Sequence, residues 1–104
     1  MIARIWRGVT PEAKADAYLE YLKATGVKEY RETEGNREVL ILRRTRDERA
    51  EFLIVTLWDS TEAIREFTGT DHIEKAVYYP EDWEYLLAFE PEVAHYEVLI
   101  GPQP

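Results

Sequence analysis

Apolar positions in this chain fall into short continuous or alternating runs, which predict strands, and into stripes spaced by three and four, which predict helices. Ile2 to Gly8 reads as a first strand, with Ile2, Arg4 and Trp6 on one face and Ala3, Ile5 and Arg7 on the other. Thr10-Pro11 then opens a helix: Thr10 can cap it, and Pro11 suits the first helical position, where its missing N–H leaves nothing unpaired. Ala15, Tyr18, Leu19 and Leu22 form the apolar stripe of that helix, and Gly26 stops it. The polar stretch from Val27 to Gly35 offers only a short edge strand around Glu29-Tyr30-Arg31, and Gly35-Asn36 marks a turn. Val39–Leu42 is wholly apolar and Phe52–Trp58 nearly so. Both predict strands, joined by the charged hairpin Asp47-Glu48-Arg49.

The stretch from Glu51 to Pro80 organises the rest. Its strand ends at Asp59-Ser60, an N-cap signal in which Asp59 and Glu62 stand at capping-box spacing. Ala63, Ile64 and Phe67 give the following helix its stripe, and Gly69 is its expected C-cap. Asp71–Val77 predicts a short helical segment that Tyr78-Tyr79-Pro80 breaks, because proline disfavours helix in the residue before it. Glu81–Phe89 predicts another short helical stretch, carrying Trp83, Tyr85, Leu86 and Leu87. Val93–Ile100 is the last strand, and Gly101–Pro104 a tail.

The resulting order, β-α-β-β-α-β, is an α+β ferredoxin-like pattern with an antiparallel sheet, in a single domain spanning residues 1–104. An antiparallel sheet ordinarily alternates apolar-in and polar-out. Two of these strands do not. Phe52, Ile54 and Trp58 oppose Leu53, Val55 and Leu57, and Val39 and Ile41 oppose Leu40 and Leu42. Two helices can cover one face, and nothing else in the sequence is large enough to cover the second. The expected cover is a second copy of the chain, giving a homodimer packed sheet against sheet.

Composition narrows the partners. The net charge of −8 argues against nucleic acid or an anionic membrane. No apolar run approaches the roughly 20 residues of a membrane span, and no signal peptide is visible at Met1-Ile2-Ala3-Arg4. The chain therefore reads as a soluble cytoplasmic protein. With no cysteine, disulfides, thiolate metal sites and cysteine nucleophiles are excluded. Ser60, the sole serine, reads as a cap, and no phosphate-binding glycine motif exists.

The run IVTLWDSTEAIREF, followed by a short helical piece and YYPED, resembles the antibiotic-biosynthesis-monooxygenase (ABM) type of dimeric α/β-barrel domain, and the resemblance covers nearly the whole chain. It implies a homodimeric barrel. It also implies chemistry that needs no cofactor, neither metal nor flavin, in which a deprotonated, electron-rich aromatic substrate reacts with O₂ directly. Haem-degrading members of the superfamily share the strand-corner-helix stretch, but carry an Asn in the first strand, a Trp on the second helix and an axial His. Here those positions are Trp6, Phe67 and Val77. All three departures disfavour haem.

Candidate chemistry then rests on an aromatic pocket between helices and sheet. Trp6, Phe67, Tyr79 and Trp83 are the candidate wall for a flat aromatic or polyketide-like ligand, and Arg4 is the candidate anchor for its carboxylate or phenolate. His72 and His95 are the candidate proton-transfer groups, since histidine titrates nearest neutral pH, and Tyr78 or Tyr79 is a candidate donor to an oxyanion. The competing readings are ordinary core aromatics, a surface His72, and an Arg4 ion pair with an acidic neighbour. A cofactor-free cyclase or isomerase, or a non-catalytic binding or structural dimer, fits the same sequence.

Overall fold

The computed structural model describes residues 1–102, so the last two residues of the predicted tail lie outside the described residues. Ile2–Pro11 (β1) pairs antiparallel with Arg49–Trp58 (β3) along its whole length, Ile2 opposite Trp58 and Pro11 opposite Arg49. Asn36–Arg46 (β2) pairs with the other edge of β3. Ala88–Phe89 (β4) and Ala94–Glu97 (β5) both pair with the free edge of β1, completing a five-stranded antiparallel sheet. Asp47 and Glu48 turn the β2–β3 hairpin with positive φ angles of 53° and 62°, the backbone twist that two-residue hairpins favour.

Several local expectations give way to longer-range pairing. The first strand continues through Thr10 and Pro11, because β3 supplies partners that far. Thr10 is therefore a strand residue, and a short 3-10 turn, Glu12–Lys14, leads into the helix Ala15–Ala24 (α1). Gly26 does not end the helical region. A second helix, Gly26–Glu32 (α2), starts there, so Glu29-Tyr30-Arg31 is helical rather than an edge strand. The strand reading fails because Val27 and Tyr30, a helical turn apart, both have apolar partners: Val27 is buried in the main core and Tyr30 packs on Trp58 and Phe67. Residues 71–77 are irregular rather than helical, and Glu81–Phe89 is a 3-10 turn, Pro80–Glu84, followed by β4.

The helix Thr61–Thr68 (α3) follows its signals. Ser60 Oγ accepts from the Ala63 N–H at 3.2 Å, and Gly69 closes the helix with φ of 71°. Ser60, not Asp59, is the cap; the Asp59 carboxylate pairs with Arg37 instead.

One sheet face carries the helices. Trp6, Phe52, Ile54 and Val39 point into a core completed by Tyr18, Leu22, Val27 and Val93, while Trp58, Ala63 and Ile64 form a second cluster. The opposite face presents Leu40, Val55, Ile5 and Ala94 in register across four strands, flanked by Leu42, Leu53 and Tyr96. Leu40 and Tyr96 on that face are 45% and 59% exposed, so the two-sided apolar pattern survives folding of a single chain. Among the described residues no helix is long and apolar enough to cross a membrane.

Gly8 makes room for the core. The Trp6 indole lies across it, and a Cβ at position 8 would sit 2.2 Å from Trp6 Cη2. The indole also packs edge to face with Tyr78 and donates its N–H to the Tyr78 hydroxyl, so it cannot move aside freely. Gly8→Ala should lower stability by about 1–3 kcal/mol, the usual cost of overpacking, read as a drop in Tm. An unchanged Tm would mean that the indole repacks at no cost.

Candidate functional site

A cavity opens between the inner sheet face and the helical layer. Its floor is Arg4, Trp6 and Ile54, one wall is Tyr18, Leu22, Thr25, Gly26 and Tyr30 from α1 and α2, and the other runs through Val77, Tyr78, Tyr79 and Asp82. Phe67 and Val93 close the remaining sides. Its free volume is about 50 Å³, well below the ~150 Å³ that accommodates a benzene ring in a rigid apolar core.

The floor carries an unusual charge. Alternation along β1 turns Arg4 inward with Ile2 and Trp6, and its residue is only 4% exposed. Among the described residues the guanidinium meets no carboxylate. It donates to the Ile73 carbonyl, to the Lys75 carbonyl at 3.3 Å, and lies 2.9 Å from His95 Nε2. Burial lowers its pKa from the ordinary guanidinium value, with the nearby Tyr30 opposing the shift, but a guanidinium stays charged in a protein. Among the described residues the competing reading of an Arg4 ion pair is not met, and the cation is held by neutral acceptors from the irregular segment and β5. His95 is positioned by its pairing opposite Arg4 across β1 and β5. With Arg4 as donor, His95 Nε2 is the acceptor, which requires a neutral ring protonated at Nδ1.

The tyrosines of the exit segment are largely committed to structure. Trp6 Nε1–H donates to Tyr78 Oη at 2.7 Å, and Tyr78 Oη–H donates to the Glu90 carbonyl. Tyr79 Oη–H donates to the Glu29 carboxylate, tying the exit segment to α2. Burial raises the pKa of both hydroxyls, and Glu29 raises that of Tyr79 further. Both phenols stay neutral at physiological pH.

The structure therefore brings together Arg4, Trp6, Phe67, Tyr78 and Tyr79 at the cavity, with His95 behind Arg4. It does not bring in His72 or Trp83. The His72 side chain is 72% exposed and approaches Glu74 at 3.7 Å, because the helix expected over residues 71–77 does not form. Trp83 is 51% exposed and packs on Tyr78 and Phe89. Sequence reasoning missed the cavity residues Tyr18, Leu22 and Tyr30, which read as helix stripe and polar loop, and it missed Asp82. The only sequence signal for Asp82 was its place just after Pro80, where an acid caps a turn.

A five-stranded antiparallel sheet with its helices on one face defines a ferredoxin-like α+β fold. The family model described as antibiotic biosynthesis monooxygenase matches residues 1–78, and the chain belongs to that family. Solved structures of the same fold agree. A Bacillus cereus protein named for antibiotic biosynthesis monooxygenase superposes with a TM-score of 0.67 at 16% identity, covering 99% of this chain and 97% of that one. A counterpart from Nitrosomonas europaea gives 0.67 at 18% identity, with 96% and 100% covered. The haem-degrader MhuD of Mycobacterium tuberculosis, with two haems bound in its active site, gives 0.60 at 20% identity, with 99% and 100% covered. A sequence search of curated proteins returns no match.

His95 makes the site sensitive to pH. Burial first, and the Arg4 charge second, lower its pKa below 6.5. The unfolded chain then binds a proton before the folded one does, so this contribution to stability is present above pH 6.5 and lost as pH falls toward the folded value. His95→Gln should therefore lose less stability than the parent between about pH 7 and about pH 5.5, measured by urea unfolding at each pH. Parallel pH profiles for the two proteins would show that His95 is not held neutral.

Proposed function

We propose that this protein is a cofactor-independent monooxygenase-like enzyme acting on a small aromatic or polyketide-like substrate in the cavity between helices and sheet. One observation carries the reading: a buried guanidinium, with no anionic partner among the described residues, on the floor of an aromatic cavity. An unpaired buried cation is costly, and a ligand's phenolate, enolate or carboxylate would offset that cost. Trp6, Tyr18, Tyr30 and Phe67 supply flat apolar contact around the charge.

In such chemistry Arg4 favours the ionised form of the substrate, and the cavity excludes water. The electron-rich carbanion then reduces O₂. For a methylene flanked by aromatic rings, one oxygen atom becomes the carbonyl and the other leaves as water, with all four electrons drawn from the substrate. Haem does not fit the residues. No histidine lines the cavity among the described residues, and Phe67 and Val77 stand where the haem-degrading pattern carries Trp and His. No step is routed through it.

The volume of about 50 Å³ means that a ring enters only if the irregular wall at Val77–Tyr79 moves outward. That narrowness favours a second reading, a non-catalytic binding or structural protein. Oxygen consumption with hydroquinones and anthrones separates the two. Uptake should be enzyme-dependent, and Arg4→Gln should lower kcat/KM on the order of 10–100-fold through loss of charge stabilisation. Absence of uptake across both classes would leave the non-catalytic reading.

We also infer a homodimer through the outer sheet face, supported by the Leu40–Val55–Ile5–Ala94 row, whose ends are exposed and whose middle is only half-buried. A stable interface of this kind buries on the order of 2,000 Å² or more. Light scattering should give twice the 12.2 kDa chain mass. Val55→Asp should yield monomer with the fold retained, whereas Ile54→Asp, on the inner face, should unfold the chain. A monomeric parent protein at micromolar concentration would overturn the inference.

A further inference from the structure

Arg4 shares its guanidinium with a group that titrates. Arg4 of β1 stands opposite His95 of β5 in the sheet, and Arg4 Nη1 lies 2.9 Å from His95 Nε2. Arg4 opens onto the cavity, while His95 does not line it. The histidine is half-buried, so its ring keeps contact with water and can exchange a proton with it. Nη1 carries two hydrogens, one directed to the Ile73 carbonyl and one to the imidazole. The group that holds the cation from behind is therefore one whose capacity to accept depends on pH.

A neutral His95 accepts from Arg4, but a protonated one cannot, because both ring nitrogens are then donors. Protonation thus withdraws an acceptor from the guanidinium and sets a second positive charge against it. An anion in the cavity offsets both changes: it gives Arg4 a new acceptor and places negative charge beside the two cations. The free volume of about 50 Å³ exceeds that of a single water and suits an anion of a few atoms with the wall in place. From this geometry we infer that His95 is a positioning residue for a small anion: binding at Arg4 is coupled to uptake of a proton from solvent by His95, so the site holds anions more tightly in acid than at neutral pH. This rests on reading Arg4 as the anion site of the cavity, but not on any reaction with oxygen.

The sign follows from linkage. Burial and the Arg4 charge hold the free ring below the ordinary imidazole value, and Glu74 of the irregular segment opposes them. A bound anion cancels part of the Arg4 effect, so the ring in the complex takes up its proton at a higher pH than the free ring. Between those two values affinity rises as pH falls, and outside them it is flat. The other titratable groups nearby are few. Glu74 also approaches His72, and Glu97 lies two residues along the same face of β5. Tyr30 on α2 acts on Arg4, and its buried phenol stays neutral. Asp82 lines the cavity and has its carboxyl pKa raised by burial, so its protonation would also favour an anion. Substitution of His95 separates the two sources.

Nitrate and benzenesulfonate, which stay ionised throughout the range, test this without turnover. Kd is measured by NMR titration at steps from about pH 8 to about pH 5. It should fall roughly five-fold or more for at least one of the two anions. Because coupling is reciprocal, saturation with that anion should raise the midpoint of the His95 Cε1–H titration by the matching amount. The chain has two histidines, and His72→Gln removes the other resonance. His95→Gln keeps an amide oxygen to accept from Arg4 but has no proton to take up, so its Kd should lose the pH dependence. The midpoint shift is read on the unsubstituted protein and depends on no variant folding. A His95 midpoint that saturating anion leaves unmoved would overturn the coupling while leaving the anion site intact. So would a pH dependence that survives in His95→Gln, which would assign it to Asp82 or another carboxyl. Failure of both anions to bind at any pH would overturn the anion site at Arg4 as well.

Discussion

The antiparallel pairing of Ile2–Pro11 with Arg49–Trp58 constrains everything else in this protein. Ten residues on each side are locked in register, and a strand's side chains alternate without exception, so one residue of slip would exchange the two faces. That register puts Phe52, Ile54, Trp58 and Trp6 under the helices and leaves Leu53, Val55 and Ile5 outside. It also sends Arg4 inward, because position 4 shares its face with position 6. The core, the cavity floor and the bare outer face are consequences of one ladder.

Burying Arg4 this way costs free energy that no ion pair among the described residues offsets. Three neutral acceptors hold the guanidinium, and two of them are carbonyls of the irregular 70–79 segment. The segment is thus bound to the sheet through the cation it covers. The same segment carries Tyr78 and Tyr79, whose hydroxyls bond to Glu90 and to Glu29 on α2. Its polar contacts spread over the sheet, the helical layer and the C-terminal region, and a continuous helix could not have reached all three. Irregular backbone here is what lets one segment close over Arg4 and still form a cavity wall.

Desolvated groups without opposite charges are a poor arrangement for stability and a good one for recognition. A carboxylate beside Arg4 would offset the cost of its burial and would also compete with any outside anion. The cavity also lacks spare volume, so an aromatic ligand could enter only by displacing the exit wall, whose anchoring bonds are side-chain contacts rather than a sheet ladder. The fold separates the two requirements: the rigid ladder fixes the floor, and the jointed segment supplies the opening.

Features set by neighbouring residues were legible in the sequence. Strand runs, the Ser60 and Gly69 caps, the β2–β3 hairpin and the two-sided apolar pattern all depend on side-chain alternation or backbone geometry over a few positions. Arg4 and Trp6 were recognisable as inward-facing together for the same reason. Features set by partners far along the chain were not. Tyr30 is helical because Trp58 and Phe67 offer its ring a place to pack, and no local pattern encodes that. His72 is exposed because its segment is held by the guanidinium of Arg4, more than sixty residues away in sequence. Asp82 looked like a turn-capping acid, which it is; only the packing of its turn against Tyr18 and Tyr21 buries the carboxyl at the cavity. Periodicity determined which way side chains point, while tertiary packing decided which of them lose their water, and desolvation is what makes a charged side chain a site.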